Sequence, residues 1–111
     1  MSAGKANLIL EKGATFFRTF RWKDSNGYPI DLTGYEVEMF ITDKPGGDIV
    51  IEPSISVDPP NGSFAIEIDA TTTANLDAFR LEYEITLTSP SNFVTRLVEG
   101  DILVRSSAEH G

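Results

Sequence analysis

The sequence predicts an all-β chain, an immunoglobulin-like antiparallel β-sandwich with one short helical turn. Three observations point there. Apolar and polar residues alternate with period two in several separate segments, the pattern of strands with one face buried and the other wet. Turn-forming clusters rich in Gly, Pro, Asn and Asp recur at short intervals between those segments, a spacing that suits a sandwich. A single stretch breaks the pattern with residues that lack β-branching.

The elements follow in chain order. Ala14 to Trp22 carries Phe16, Phe20 and Trp22 on one face, interrupted by Arg18, and Phe17, Thr19 and Arg21 on the other. Asp24-Ser25-Asn26-Gly27 and Pro59-Pro60-Asn61-Gly62 each set an Asn-Gly pair between β-patterned segments, where two successive positive φ angles suit a hairpin. Tyr35 to Thr42 alternates, with only Phe40 out of place, and Pro45-Gly46-Gly47-Asp48 makes a further reversal. Ile49 to Ile51 and Ile55 to Val57 are short strand segments, and Phe64 to Asp69 directs Phe64, Ile66 and Ile68 inward.

Thr71 to Phe79 is the exception, a helical turn capped by threonine, with Leu76 and Phe79 one turn apart and pinned onto the end of the core. Leu81 to Thr88 is the clearest strand, apolar at every odd position. Ser89-Pro90-Ser91-Asn92 is a fourth reversal. Phe93 to Val98 and Ile102 to Val104 flank Glu99-Gly100-Asp101, which reads as a bulge or tight bend between two strand halves. The whole is a single domain over residues 1–111, with loose tails at about 1–5 and 106–111.

Composition bounds the function. The 111 residues are 41% hydrophobic, and a chain of this length buries roughly 65% of its unfolded surface, enough for one core without a metal or disulfide staple. With no cysteine, disulfides, thiolate metal sites and thiol nucleophiles are absent together. No apolar run approaches the ~20 residues needed to cross a bilayer. Leu8-Ile9-Leu10 meets Glu11 and Lys12 too early for a signal-peptide core, so export by an N-terminal signal is not expected. A net charge of -8 without a basic run disfavours nucleic acid and anionic membrane surfaces as partners; its plain reading is solubility.

No residue pattern announces catalysis. His110 is the only histidine and stands one residue from the end, where an imidazole has no fixed partner. The carboxylate pairs Glu36/Glu38, Glu67/Asp69 and Glu82/Glu84 fall on outward strand positions and read as solvated faces. Gly46-Gly47 lacks the lysine and helix of a phosphate loop. The expectation is a non-enzymatic chain with no catalytic, cofactor-binding or metal-ligating residues and no cofactor. Among the aromatic residues of the first third, most suit core packing. A strand with aromatics on both faces nonetheless has one face too many, which makes Phe17, Thr19 and Arg21, with Tyr28 and Phe93, the candidate assembly surface. Exposed sheet edges offer a second route to a partner.

The segment Asn26-Gly27-Tyr28-Pro29-Ile30-Asp31-Leu32-Thr33-Gly34-Tyr35-Glu36-Val37 contains a turn motif in which Asp31 and Thr33 can bond nearby amides, Gly34 can take a positive φ, and Tyr35 opens the inward row. It is similar to the opening of small β-sandwich domains in tailed-bacteriophage virion proteins, including the N-terminal domain type of phage baseplate upper proteins. The likeness continues through the aromatic strand before the turn, the Asn61-Gly62 hairpin, the threonine-rich turn with Leu76, and Arg96 to Ile102.

The resemblance implies a structural component of the virion, made in the host cytoplasm, in the tail, baseplate or fibre-attachment region. It would be present in several copies or as a homo-oligomer and would contact other virion structural proteins. Without the long helical or receptor-binding extension of the baseplate upper proteins, it is expected to bind through its own faces, loops or tails. Two alternatives share the same architecture: a capsid cement (decoration) protein, and a carbohydrate-binding module stacking Trp22, Tyr28 or Phe93 on a sugar ring.

Overall fold

A computed structural model describes residues 4–43, 47–76 and 80–106. The alternating segments form two facing sheets. The larger contains β1 (Gly4–Lys5), β2 (Leu8–Lys12), β4 (Glu36–Thr42), β5 (Ile49–Ile51), β8 (Arg80–Thr88) and β9 (Val94–Ser106). The smaller contains β3 (Phe16–Arg21), β6 (Ser54–Asp58) and β7 (Ser63–Ile68). The large sheet runs β2-β9-β8-β4-β5, with β1 also on β9, and the small one runs β3-β7-β6. Pairing is antiparallel except that β1 and β2 lie parallel to β9. The all-β, immunoglobulin-like sandwich with one short helix is therefore the fold.

The core comes from the inward rows that alternation marks. Leu81, Tyr83, Ile85 and Leu87 of β8, Met39 and Ile41 of β4, and Phe64, Ile66 and Ile68 of β7 are all buried. Pro53 stands between β5 and β6 where the chain leaves one sheet for the other, a place where its missing N–H breaks no ladder.

Several expectations are corrected. The sequence reading places no strand before Ala14, yet β2 buries Leu8 and Leu10 almost completely. Three apolar letters look too few for an element, but every second one faces the core. Gly4 and Lys5, the end of the expected loose tail, pair with Val98 and Glu99, and Ser106 pairs with Lys12. β9 does not break at Glu99-Gly100-Asp101. Its register shifts earlier, where Ile85 and Thr86 face Val98 and Arg96, so Leu97 is the extra residue.

Neither Asn-Gly pair forms a turn with two positive φ angles. Gly27 and Gly62 are left-handed while Asn26 and Asn61 are not. The Gly27 amide closes onto the Asp24 carbonyl, giving a three-residue loop with a glycine bulge. Pro59–Asn61 forms a 3-10 turn ended by Gly62. A side chain at Gly62 would meet the Ile30 and Trp22 carbonyls at 2.7 Å.

The helical turn is α1 (Ala70–Ala74), and its cap is Asp69, whose carboxylate accepts from the Thr72 amide. Threonine plays another part: Thr73 is fully buried, its hydroxyl accepts from the Gly13 amide and lies within hydrogen-bond distance of the Ala14 and Ala70 carbonyls. That bond ties α1 to the β2–β3 turn. The reversal at Pro45-Gly46, the Phe79 anchor, His110 and most of both tails lie outside the described residues.

Candidate functional site

β3 is the strand with aromatics on both faces, and pairing with β7 decides which face is which. Phe16, Arg18 and Phe20 stand opposite Ile68, Ile66 and Phe64, and so share the inward face. Phe20 stacks on Phe64 with ring centroids 5.5 Å apart, and the Arg18 guanidinium lies 5.7 Å from the Phe20 ring centre, a cation over a π face. Phe17, Thr19 and Arg21 point outward, and Phe17 is 61% exposed.

The outward face of the small sheet is mostly polar. Across the three strands its rows read Phe17, Glu67, Ser54; then Thr19, Ala65, Ser56; then Arg21, Ser63, Asp58. Phe17 is the one large apolar side chain on those rows, and nothing in its own sheet covers it.

β3 is also an edge. Among the described residues it pairs with β7 alone. The Trp22 amide bonds the Gly62 carbonyl at the end of that ladder. Because main-chain groups alternate in direction along a strand, Phe20, Arg18 and Phe16 aim theirs at β7. Phe17, Thr19 and Arg21 aim their N–H and C=O groups away, toward the open side.

The structure does not gather all five candidate residues. Phe17 lies at the start of β3, beside the α1 end of the sandwich. Tyr28 follows the far end of β3 in the hairpin bridged by Lys23 and Pro29. Phe93 closes the β8–β9 turn, where its carbonyl accepts from the Ser89 amide. Both rings are well exposed, but they belong to the loop end, about a strand's length from Phe17. Arg21 and Thr19 lie between.

The turn motif has an internal architecture. The Asp31 carboxylate accepts from the Thr33 amide at 2.9 Å and the Thr33 hydroxyl at 2.7 Å. Those bonds, the hydroxyl foremost, hold its carboxyl below the ordinary carboxylate value. Gly34 is left-handed, and Pro90 of the β8–β9 turn occupies the space where a side chain would stand. Tyr35 sits edge-on to Trp22 at 6.1 Å, and the buried Leu32 accepts from the Tyr35 amide. Trp22 is thereby packed against the core with its ring partly buried.

The outer face of the large sheet holds a shallow depression of about 500 Å³, lined by Phe40, Ile49, Glu82, Glu84, Glu99 and Asp101 among others. Three of those four acids are answered by bases. Lys5 reaches Glu99 at 3.3 Å, Arg96 reaches Glu84 at 3.4 Å, and Arg80 bonds Asp101. Among the described residues no group of three or more acidic or histidine side chains could hold a metal ion. No helix among them is long and apolar enough to cross a membrane.

The geometry defines a class, the immunoglobulin-like β-sandwich. No family model matches the chain, and no curated protein matches it. Among solved structures, the chain is similar to a point mutant of the SrpA adhesin from Streptococcus sanguinis, with a TM-score of 0.58 at 15% identity over 94% of this chain. It spans 57% of the adhesin chain. CopC from Methylosinus trichosporium OB3b aligns with 95% of this chain and 87% of its own, at 12% identity and a TM-score of 0.49. At 15% identity the likeness to the adhesin speaks to fold alone.

Proposed function

We propose that this chain is a non-enzymatic structural component of a tailed-bacteriophage virion, acting in the tail, baseplate or fibre-attachment region through protein–protein assembly. The observation that carries an assembly role is the open β3 edge with Phe17 exposed beside it. An unpaired edge strand next to an uncovered aromatic ring is a liability in a free protein and an asset in one that meets a partner. The phage setting is supported by the order of sequence motifs, from the aromatic strand through Asp31-Leu32-Thr33-Gly34-Tyr35 to the closing strand.

Mass spectrometry of purified particles tests the reading. The chain is expected at a fixed stoichiometry to the other tail proteins, and a particle reconstruction is expected to show the sandwich in the tail or baseplate. Density on the capsid instead would make it a decoration protein. Absence of the chain from mature particles would overturn a virion role altogether.

A further inference from the structure

The chain carries a net charge of -8, yet its bases are unevenly used. Lys5, Arg80, Arg96 and Arg105 all reach a carboxylate. Arg18, Arg21 and Lys23 have no such partner among the described residues, and all three lie on β3 or just beyond its end. Among the described residues, positive charge without a carboxylate partner is thus concentrated on the strand whose main chain is open. Such a strip would meet itself badly: pairing β3 with β3 of a second copy would bring two sets of these cations together.

We infer that the β3 edge is the docking site for an extended acidic segment of a neighbouring protein, which adds to the small sheet as a fourth strand beside Phe17, Thr19 and Arg21. Main-chain hydrogen bonds to those three residues supply the pairing. The side chains supply the choice. Arg21 lies on the outward row and Arg18 on the inward one, three residues apart, and Phe17 is the next residue outward. A paired strand therefore needs two carboxylates three residues apart, with an apolar residue adjacent to one of them to cover Phe17. Antiparallel, it reads acid-x-x-acid-apolar; parallel, it reads apolar-acid-x-x-acid. This deepens the assembly reading above by naming the partner's chemistry, and it rests on that reading only for where the partner comes from.

The probe is the blocked peptide acetyl-Thr-Glu-Thr-Val-Glu-Val-Thr-amide, with control peptides in which both Glu are replaced by Lys or by Gln. Titrated into the full chain and followed by NMR, the Glu peptide is expected to shift and protect the amides of Phe17, Thr19 and Arg21. It should bind at least tenfold more tightly than the Lys peptide and weaken as salt is raised. Thr19→Pro removes one outward N–H without touching the β7 ladder and is expected to weaken binding at least tenfold. Should that variant misfold, Arg18→Glu with Arg21→Glu serves instead, and is expected to favour the Lys peptide.

Equal binding of all three peptides, protection at another edge, or no binding at millimolar peptide overturns the inference. So does β3 protection in the peptide-free chain together with a dimer in sedimentation, which would make a second copy the occupant. The two readings fail separately. Normal incorporation of the double-Glu variant into particles removes the edge as the docking site but keeps the virion role. Selective peptide binding by a chain absent from particles does the reverse.

Discussion

The Tyr83 hydroxyl donates a 2.6 Å hydrogen bond to the Ala6 carbonyl. The same Ala6 carbonyl lies against Gly100, in the space where a side chain would stand. Gly100 pairs with Tyr83 across β8 and β9, and a side chain on it would come within van der Waals overlap of the Ala6 carbonyl. The junction between β1 and β2 is therefore held from both sides, since the Ala6 amide bonds the Glu99 carbonyl and the Asn7 side chain accepts from the Asp101 amide.

Tyr83→Phe is expected to cost about 1 kcal/mol, the net value of one hydrogen bond, read as a lowered denaturant midpoint at unchanged slope. Burial raises the Tyr83 phenol above its ordinary 10.0, partly offset by the charge of Arg18. A raised acid favours the folded state while protonated, so its contribution is complete below pH 10 and lost as pH climbs through the raised value. The wild-type chain should lose stability in that alkaline range more steeply than the Phe variant.

Gly100→Ala forces a methyl group against the Ala6 main chain. Overpacking of this kind costs about 2 kcal/mol or more. Amide exchange should quicken first in β1 and at Ala6, ahead of the β4–β8 ladder. Unchanged protection there would show that the strand accommodates the methyl.

Thr73→Val keeps the shape of a fully buried side chain but leaves the Gly13 amide unanswered. The expected loss is about 1 kcal/mol, the net value of one part-buried hydrogen bond, measured by thermal or urea unfolding. Thr72→Val, at a half-buried position on the same helix, should cost less.

Phe17→Ser removes an exposed ring and should leave stability within about 0.5 kcal/mol of the parent, while reducing incorporation into particles. Phe20→Ala removes a ring stacked on Phe64 and should do the opposite, lowering the melting temperature whatever the partner. A Phe17→Ser chain that is incorporated normally would remove that ring from the assembly surface.

The acid limb of the stability curve should report Asp31 and Asp69. Hydrogen bonding by Thr33 and by Thr72, hydroxyl ahead of amide in each case, lowers the two carboxyls below 3.8. A lowered carboxyl stabilises the fold above its ordinary value, and that contribution fades as pH falls through the depressed one. Asp69→Asn retains a capping oxygen and should flatten the acid limb with little change at neutral pH.

Sequence alone determined the sandwich and its inward rows, because alternation is a property of the strand itself: Leu81, Tyr83, Ile85 and Leu87 must share a face wherever β8 sits. It also marked Phe17, Thr19 and Arg21 as a second face on β3, since period two separates them from Phe16 and Phe20 without any partner being known. Tertiary structure decided the rest. Whether Leu8-Ile9-Leu10 is a strand depends on β9 lying beside it, and whether Gly100 is a bend or a close approach depends on Ala6 arriving from the other end of the chain. The open side of β3 was invisible for the same reason. An edge is defined by which strands fail to arrive, and strand order is set by long-range pairing and packing, not by any local pattern of residues.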